Sequence, residues 1–216
     1  MNSHSVAPTN STLKPRKTPV QARSTSTVGA IFTATVQVLI DFSAERLTTT
    51  RVAERAGVSV GTLYQYFPNK SALLAAVLEQ HLVQVVEALE AACTAAKGKV
   101  IDEMATDIVT AFVSAKLGHP KTSIALYAVA AQVGGTDIVA RMTQRSQLAL
   151  CDVLAGASDA KFDDLRTVSF VLTTALVGPV QGLLAMGAPA AMAQSVTAHL
   201  IGLTKAYLRA SAIRFN

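Results

Sequence analysis

The sequence predicts an all-α protein, with a small N-terminal three-helix unit containing a helix-turn-helix and a larger helical bundle behind it. Three observations predict this. Alanine, valine, leucine and threonine dominate a chain of 216 residues that has no tryptophan and only seven prolines, a composition that favours helices over sheets. Apolar residues recur at three- and four-residue spacing, with no sustained strand-like alternation and no internal repeat. Between Thr48 and Phe67, helix-capping hydroxyls and a glycine mark out two short helices joined by a tight turn. At 50% hydrophobic, the chain can bury a sizeable core unaided.

The elements follow in order. Residues 1–22 are low in complexity and carry Lys14, Arg16 and Lys17, so they read as a basic arm that stays disordered without a partner. Ser24 or Ser26 caps a first helix in which Ile31, Thr35, Val38 and Phe42 form the apolar stripe, widened by Phe32, Val36 and Leu39, ending near Ser43. Thr48 caps a short helix over 49–56 that Gly57 stops. Ser59 caps another that runs to Phe67 and is closed by Pro68. A long helix from Lys70 to about Lys97 shows Leu73, Leu74, Val77, Leu78, Leu82, Val85, Val86 and Leu89 on one face. Further helices are predicted over about 100–117, 121–132, 136–156, 162–186 and 190–213, separated by glycine and proline. Gly178-Pro179 predicts a kink in the penultimate one.

The net charge of +5 is unevenly placed. Up to Lys70 there are eight basic side chains against three acidic ones, and from Ser71 onward eleven of each cancel. The whole excess sits in the first third, as suits a polyanionic partner whose condensed counterions each Lys or Arg can release. Cys93 and Cys151 lie in apolar helical surroundings and read as small buried hydrophobes of a reducing compartment. The four histidines are scattered singly, so neither a metal site nor a cofactor is expected. The polar first residues lack an export signal, and the chain is expected in the cytoplasm. Thr167–Thr204 contains no charged residue, but its glycines, prolines and polar side chains interrupt any clean run of about 20 apolar residues. Two buried helices are predicted there, and no membrane association.

The informative segment is TTTRVAERAGVSVGTLYQYFPNK, Thr48–Lys70. Two short helices crossing steeply need a small residue at the contact, supplied by Ala53, and a left-handed turn, supplied by Gly57. Val52, Ala56, Val58, Leu63 and Phe67 then lock the second helix to the first. That packing leaves Val60, Gly61 and Tyr64 outward, with Thr62, Gln65 and Tyr66 at the rim: a neutral surface rich in hydrogen-bonding groups. It suits the major groove of double-stranded DNA, where tyrosine reaches a base edge or a thymine methyl and Gly61 admits close backbone approach. Free amide groups near Thr49 and Lys70, with those side chains assisting, are placed to grip phosphates.

On these residues the sequence resembles the DNA-binding end of the TetR family of bacterial regulators: VAERAGVSVGTLYQYFPNKSALL follows that family's pattern closely, within a match covering about residues 24–80. The resemblance implies a homodimer of two-domain subunits, with residues 23–69 as the DNA-binding domain and 70–216 as a helical-bundle domain for effector binding and dimerisation. Residue by residue, Val60, Gly61, Tyr64 and Thr50 match places that face bases, and Thr49, Thr62, Gln65, Tyr66 and Lys70 match places that hold phosphates. The first-to-second helix loop of the family usually carries a glycine and an aromatic, where this chain has Ser43 and Ala44. Phe42 is the candidate replacement for the aromatic.

The resemblance further places the dimer interface on the last two helices, and the uncharged stretch reads better as that interface than as membrane, since an obligate interface resembles a core cut in half. Phe170, Thr174, Val177, Gln181, Leu184, Thr197, Ile201 and Lys205 are the residues expected to line it. Met104, Phe112, Tyr127, Gln132 and Met142 are the candidates for lining a pocket for a small-molecule effector, mostly apolar in character. The function these features predict is a regulator released from a palindromic operator by that effector. The alternative is a nonspecific or architectural DNA binder driven by the basic arm. An enzyme is excluded for lack of parts: there is no carboxylate and histidine set, no nucleophile elbow and no glycine-rich phosphate loop.

Overall fold

A computed structural model describes residues 22–213, with side chains from Ser24 onward. The helices in chain order are α1 (Ala22–Arg46), α2 (Thr49–Ala56), α3 (Val60–Tyr66), α4 (Lys70–Ala96), α5 (Ile101–Leu117), α6 (Pro120–Ala130), α7 (Gly135–Ala155), α8 (Leu165–Ala185) and α9 (Ala190–Ser211), with a 3-10 turn at Ala131–Val133. No strand is present among the described residues. The basic arm, including Lys14, Arg16 and Lys17, lies outside the described residues except for Ala22, which opens α1.

The chain forms two compact units. The first takes in the N-terminal helices to Gln80 together with Ala125–Thr136, and the second His81–Ile124 together with the chain from Asp137 onward. The division falls inside α4, whereas the domain boundary expected from the sequence lies at its start.

In the first unit, Ile31, Ala34, Val38 and Leu39 of α1 are buried with Leu47, Val52, Ala53, Leu63 and Phe67. Phe32 meets the Phe67 ring at 5.6 Å between centroids. Thr35 is buried within the apolar stripe because its hydroxyl donates to the Ile31 carbonyl one turn back, at 2.7 Å, which removes the cost of burying it.

In the second unit α5 packs on α9 and α8. Its inner face is Ile101, Met104, Ala105, Ile108, Val109, Phe112 and Val113, meeting a spacing of three and four residues. Leu172, Leu176, Val180 and Leu183 of α8 and Leu200 and Leu208 of α9 are also buried. Arg145 grips Glu90 through two bonds of 2.6 Å, the bidentate geometry that makes an ion pair specific.

Three boundaries differ from the sequence reading. α1 is broken where it was expected to end, because Ser43 takes φ 64 and ψ 171 before a further helical turn reaches Arg46. α6 stops at Ala130 and tightens into the 3-10 turn. α8 starts at Leu165, later than expected, because Asp164 caps it by accepting from the Thr167 amide at 3.0 Å.

α8 continues as one helix through Pro179 to Ala185, and this corrects the expectation that no apolar stretch of spanning length survives there. By length and hydropathy, α8, α4 and α1 from Ser24 could each cross a membrane, although 61% of the α4 window is buried inside the protein against 44% for α8 and 28% for α1.

Candidate nucleic-acid interface

The first unit builds its surface from local signals. Thr48, in an extended conformation, caps α2 and its hydroxyl accepts from the Arg51 amide at 3.3 Å. Gly57 ends α2 at φ 67 and ψ 30, its amide reaching the Ala53 and Glu54 carbonyls. A Cβ at Gly57 would meet nothing, so the requirement is one of backbone conformation and not of space. Val58 then donates to Ala53 at 3.0 Å, completing the turn, and Ser59 caps α3 by accepting from the Thr62 amide at 3.0 Å. Asn69 caps α4 in the same way, accepting from Ala72 at 2.8 Å.

With Val52, Ala53, Leu63 and Phe67 buried, α3 can turn only its other side to solvent. Ala56 and Val58, expected in the same small core, are half-buried. Gly61, Tyr64 and Gln65 are exposed and Val60, Thr62 and Tyr66 half-buried, while Thr50 on α2 is exposed and Thr49 half-buried. Tyr64 leaves 40% of its surface free, unusual for an aromatic side chain on a packed seven-residue helix. Gly61 has no packing reason to be glycine: a Cβ there would meet only the Ser59 hydroxyl, at an ordinary 3.7 Å.

Hydrogen bonds bring the predicted residues together. Thr49 Oγ1 and Tyr64 Oη lie 3.1 Å apart, linking the start of α2 to the outer face of α3. Thr62 Oγ1 lies 2.9 Å from Ser59 Oγ, so that hydroxyl is shared with the cap. Lys70 donates from Nζ to the Ala44 carbonyl at 2.6 Å, tying the start of α4 to the chain leading into α2.

Two residues that figured in the sequence only as part of a charge count stand at the same corner. The Arg51 and Arg46 guanidinium groups lie 5.0 and 6.0 Å from the centre of the Phe42 ring, so Phe42 serves as a cation-π platform. An arginine spacing near an aromatic was the available signal. Arg55 is instead paired with Asp41 at 2.8 Å.

The predicted pocket residues lie on α5, α6, the 3-10 turn and α7. Met104 and Phe112 are core side chains of α5, at 0% and 7% exposure. Met142 is half-buried on α7, and Gln132 is exposed on the 3-10 turn. Tyr127 is half-buried, and burial pushes its phenol up to about 12. Tyr127 and Gln132 belong to the first unit and the other three to the second.

A groove of about 400 Å³ lies elsewhere in the second unit, lined by Gln144, Gln147, Leu148 and Cys151 of α7 and Arg166, Thr167 and Phe170 of α8. Cys151, expected to be buried, is half-exposed at this groove and its thiol lies 3.2 Å from the Ser169 hydroxyl.

Of the residues expected at a dimer interface, Phe170, Thr174 and Gln181 are exposed, and Val177, Thr197, Ile201 and Lys205 half-buried. Leu184 is a correction: at 4% exposure it is used up in the core of its own unit, because it shares the inward register of Val180 and Leu183. Met192 and Leu203 of α9, which the sequence did not single out, are 44% and 48% exposed. Among the described residues no group of three or more histidine, cysteine or acidic side chains is placed to hold a metal.

Comparison with known proteins matches both parts of the chain. Residues 31–77 match the family described as bacterial regulatory proteins, tetR family, and residues 101–208 the tetracyclin repressor-like C-terminal domain. An uncharacterized HTH-type transcriptional regulator of Mycobacterium tuberculosis is 33% identical over 60 residues, which is 28% of this chain and only 32% of that protein. Among solved structures, a Mesorhizobium loti protein assigned to the TetR family superposes with a TM-score of 0.74 at 16% identity, covering 89% of this chain and 100% of that one. A TetR-family transcription regulator of Marinobacter aquaeolei gives 0.65 at 22% identity, covering 89% and 98%. At these identities the structures establish a common fold.

Proposed function

The chain belongs to the tetR family of bacterial regulatory proteins, and from that premise we propose that it is a repressor that binds a palindromic operator as a homodimer and is released by a small-molecule effector. DNA-binding regulation and dimerisation come with the family. The operator, the effector and the direction of control are the finer reading.

One observation carries the DNA-reading surface: Gly61 and Tyr64 stand exposed on α3, and nothing in the packing of that helix requires a glycine at Gly61. In this reading Val60, Gly61 and Tyr64 meet bases, with Thr50 beside them. Thr49, Thr62, Gln65, Tyr66 and Lys70 hold phosphates on either side, and Lys14, Arg16 and Lys17 add sequence-independent grip. In a dimer the two copies of α3 are expected about 34 Å apart, or a multiple of it, to enter successive major grooves.

The stretch Thr167–Thr204, which carries no Asp, Glu, Lys or Arg and exposes Phe170, Met192 and Leu203, supports dimerisation through α8 and α9. Apolar side chains at a subunit interface also account for the hydropathy of α8 without a membrane. An effector that binds the larger domain and prefers a different spacing of the two reading helices would weaken DNA binding by its differential affinity, typically by about 1 to 3 kcal/mol.

The test is a selection of bound fragments from the source genome, followed by binding curves at several salt concentrations. Selected fragments are expected to share an inverted repeat. Tyr64→Ala should relax the preference at one base pair per half-site, whereas Lys70→Ala should weaken all sequences alike and flatten the salt dependence by about one phosphate contact. Equal affinity for every fragment, with a steep salt slope, would instead identify a nonspecific DNA binder.

A further inference from the structure

The contact between Thr49 and Tyr64 has a direction that DNA binding would set. Each hydroxyl owns one proton, and at 3.1 Å one donates to the other with either assignment open in the free protein. A phosphate oxygen only accepts. Once Thr49 Oγ1 spends its proton on a phosphate, the link to Tyr64 survives only if Tyr64 Oη donates to Thr49. The tyrosine oxygen then has no proton left and turns lone pairs alone toward the groove.

The geometry points to Tyr64 as a reader of exocyclic amines, accepting a hydrogen bond from adenine N6 or cytosine N4, with Thr49 as the residue that fixes this choice. In the major groove those amines are the donors that bases present, while guanine O6 and N7 and thymine O4 are acceptors. An acceptor facing an acceptor loses the bond and leaves both desolvated. Thr49 is therefore a positioning residue in a relay from phosphate to base, and grip on the backbone selects which edge α3 tolerates. Arg55, the cation of α2 that is paired with Asp41, takes no part in the relay. Val60 and Gly61 beside Tyr64 offer no side-chain hydrogen-bonding group that could substitute for it.

This inference rests on the reading of α3 as the DNA-contacting helix. The test uses the full chain and duplexes selected by it from random DNA, with Tyr64→Phe and the shape-preserving Thr49→Val. At the base pair where Tyr64→Phe loses preference, the wild-type chain is expected to favour adenine or cytosine on the strand read by about tenfold. Where that base is adenine, replacing it by purine, which lacks the 6-amino group, should cost the wild type about the same factor and leave Tyr64→Phe unaffected. Thr49→Val frees the tyrosine proton, so guanine and thymine should become acceptable at that pair.

A wild-type preference for guanine or thymine there, an unchanged preference in Thr49→Val, or no pair at which Tyr64→Phe matters, would overturn the relay while selective binding itself stands. A chain that selects no sequence at all would overturn the reading of α3, and the relay with it.

Discussion

At the scale of single residues, the surface separates side chains that hold the fold from those that do not. Gly61 is the sharpest case. Its backbone is helical and a Cβ has room, so Gly61→Ala should stabilise the protein by roughly 0.5 to 1 kcal/mol through lower chain entropy and better helix propensity. The same methyl would stand off the DNA, so affinity should fall while the melting temperature rises. Thermal melts beside binding curves check this; loss of both together would mean that Gly61 serves the fold.

His81 makes a second residue-level case, in the other unit. Its Nε2 lies 3.1 Å from the Ser123 hydroxyl, and burial first, then the charges of Lys116 and His119, holds its pKa down from 6.5 to about 4. The unfolded chain therefore binds more protons between those values. The stability contributed by the neutral ring should be fully present above pH 6.5 and lost as the pH falls toward 4. His81→Gln should flatten that acid limb in denaturation midpoints measured across the range, and an unchanged limb would show that other groups set it.

At the scale of elements, legibility followed locality. Thr48, Gly57 and Ser59 mark helix ends through bonds to residues within four positions, and such ends can be read from a string of letters. The unusual Ser43 could be noticed only as a missing glycine. Its φ of 64 and ψ of 171 fall in backbone territory that is nearly reserved for glycine, at a cost of roughly 1 to 3 kcal/mol.

The end of α6 and the inward side of Leu184 depend on what the chain packs against, which periodicity does not encode. Met104 and Phe112, two of the pocket candidates, are core side chains of α5 for the same reason: Met and Phe at helical spacing describe a core as well as a cavity. For α8 and α9 the register gives a prediction. Phe170→Glu with Leu203→Glu, both on exposed positions, should leave helical content unchanged and convert the dimer to monomers in light-scattering measurements. A dimer that persists would move the interface elsewhere.

At the scale of the whole molecule, the charge excess lies in the first third and the rest is balanced, so attraction to a polyanion would fall to the first third. Removing residues 1–22 deletes three of the eight early basic groups, Lys14, Arg16 and Lys17. Each lost phosphate contact should reduce the slope of log affinity against log salt by about 0.9, while the melting temperature holds. An unchanged slope would make the arm a bystander.

The absence of charge from Thr167 to Thr204 bears on partner choice as well as on pairing. Like-signed side chains are a common way to turn away a wrong subunit, and this stretch holds none. A sister chain with an equally bland face would meet no electrostatic veto. If the proposed interface lies here, discrimination would be left to relief: the shallow places at Gly178, Gly182, Ala198 and Gly202, all exposed, against the raised ones at Phe170, Met192 and Leu203. On that proposal, mixed dimers would be a matter of how well two contours mesh.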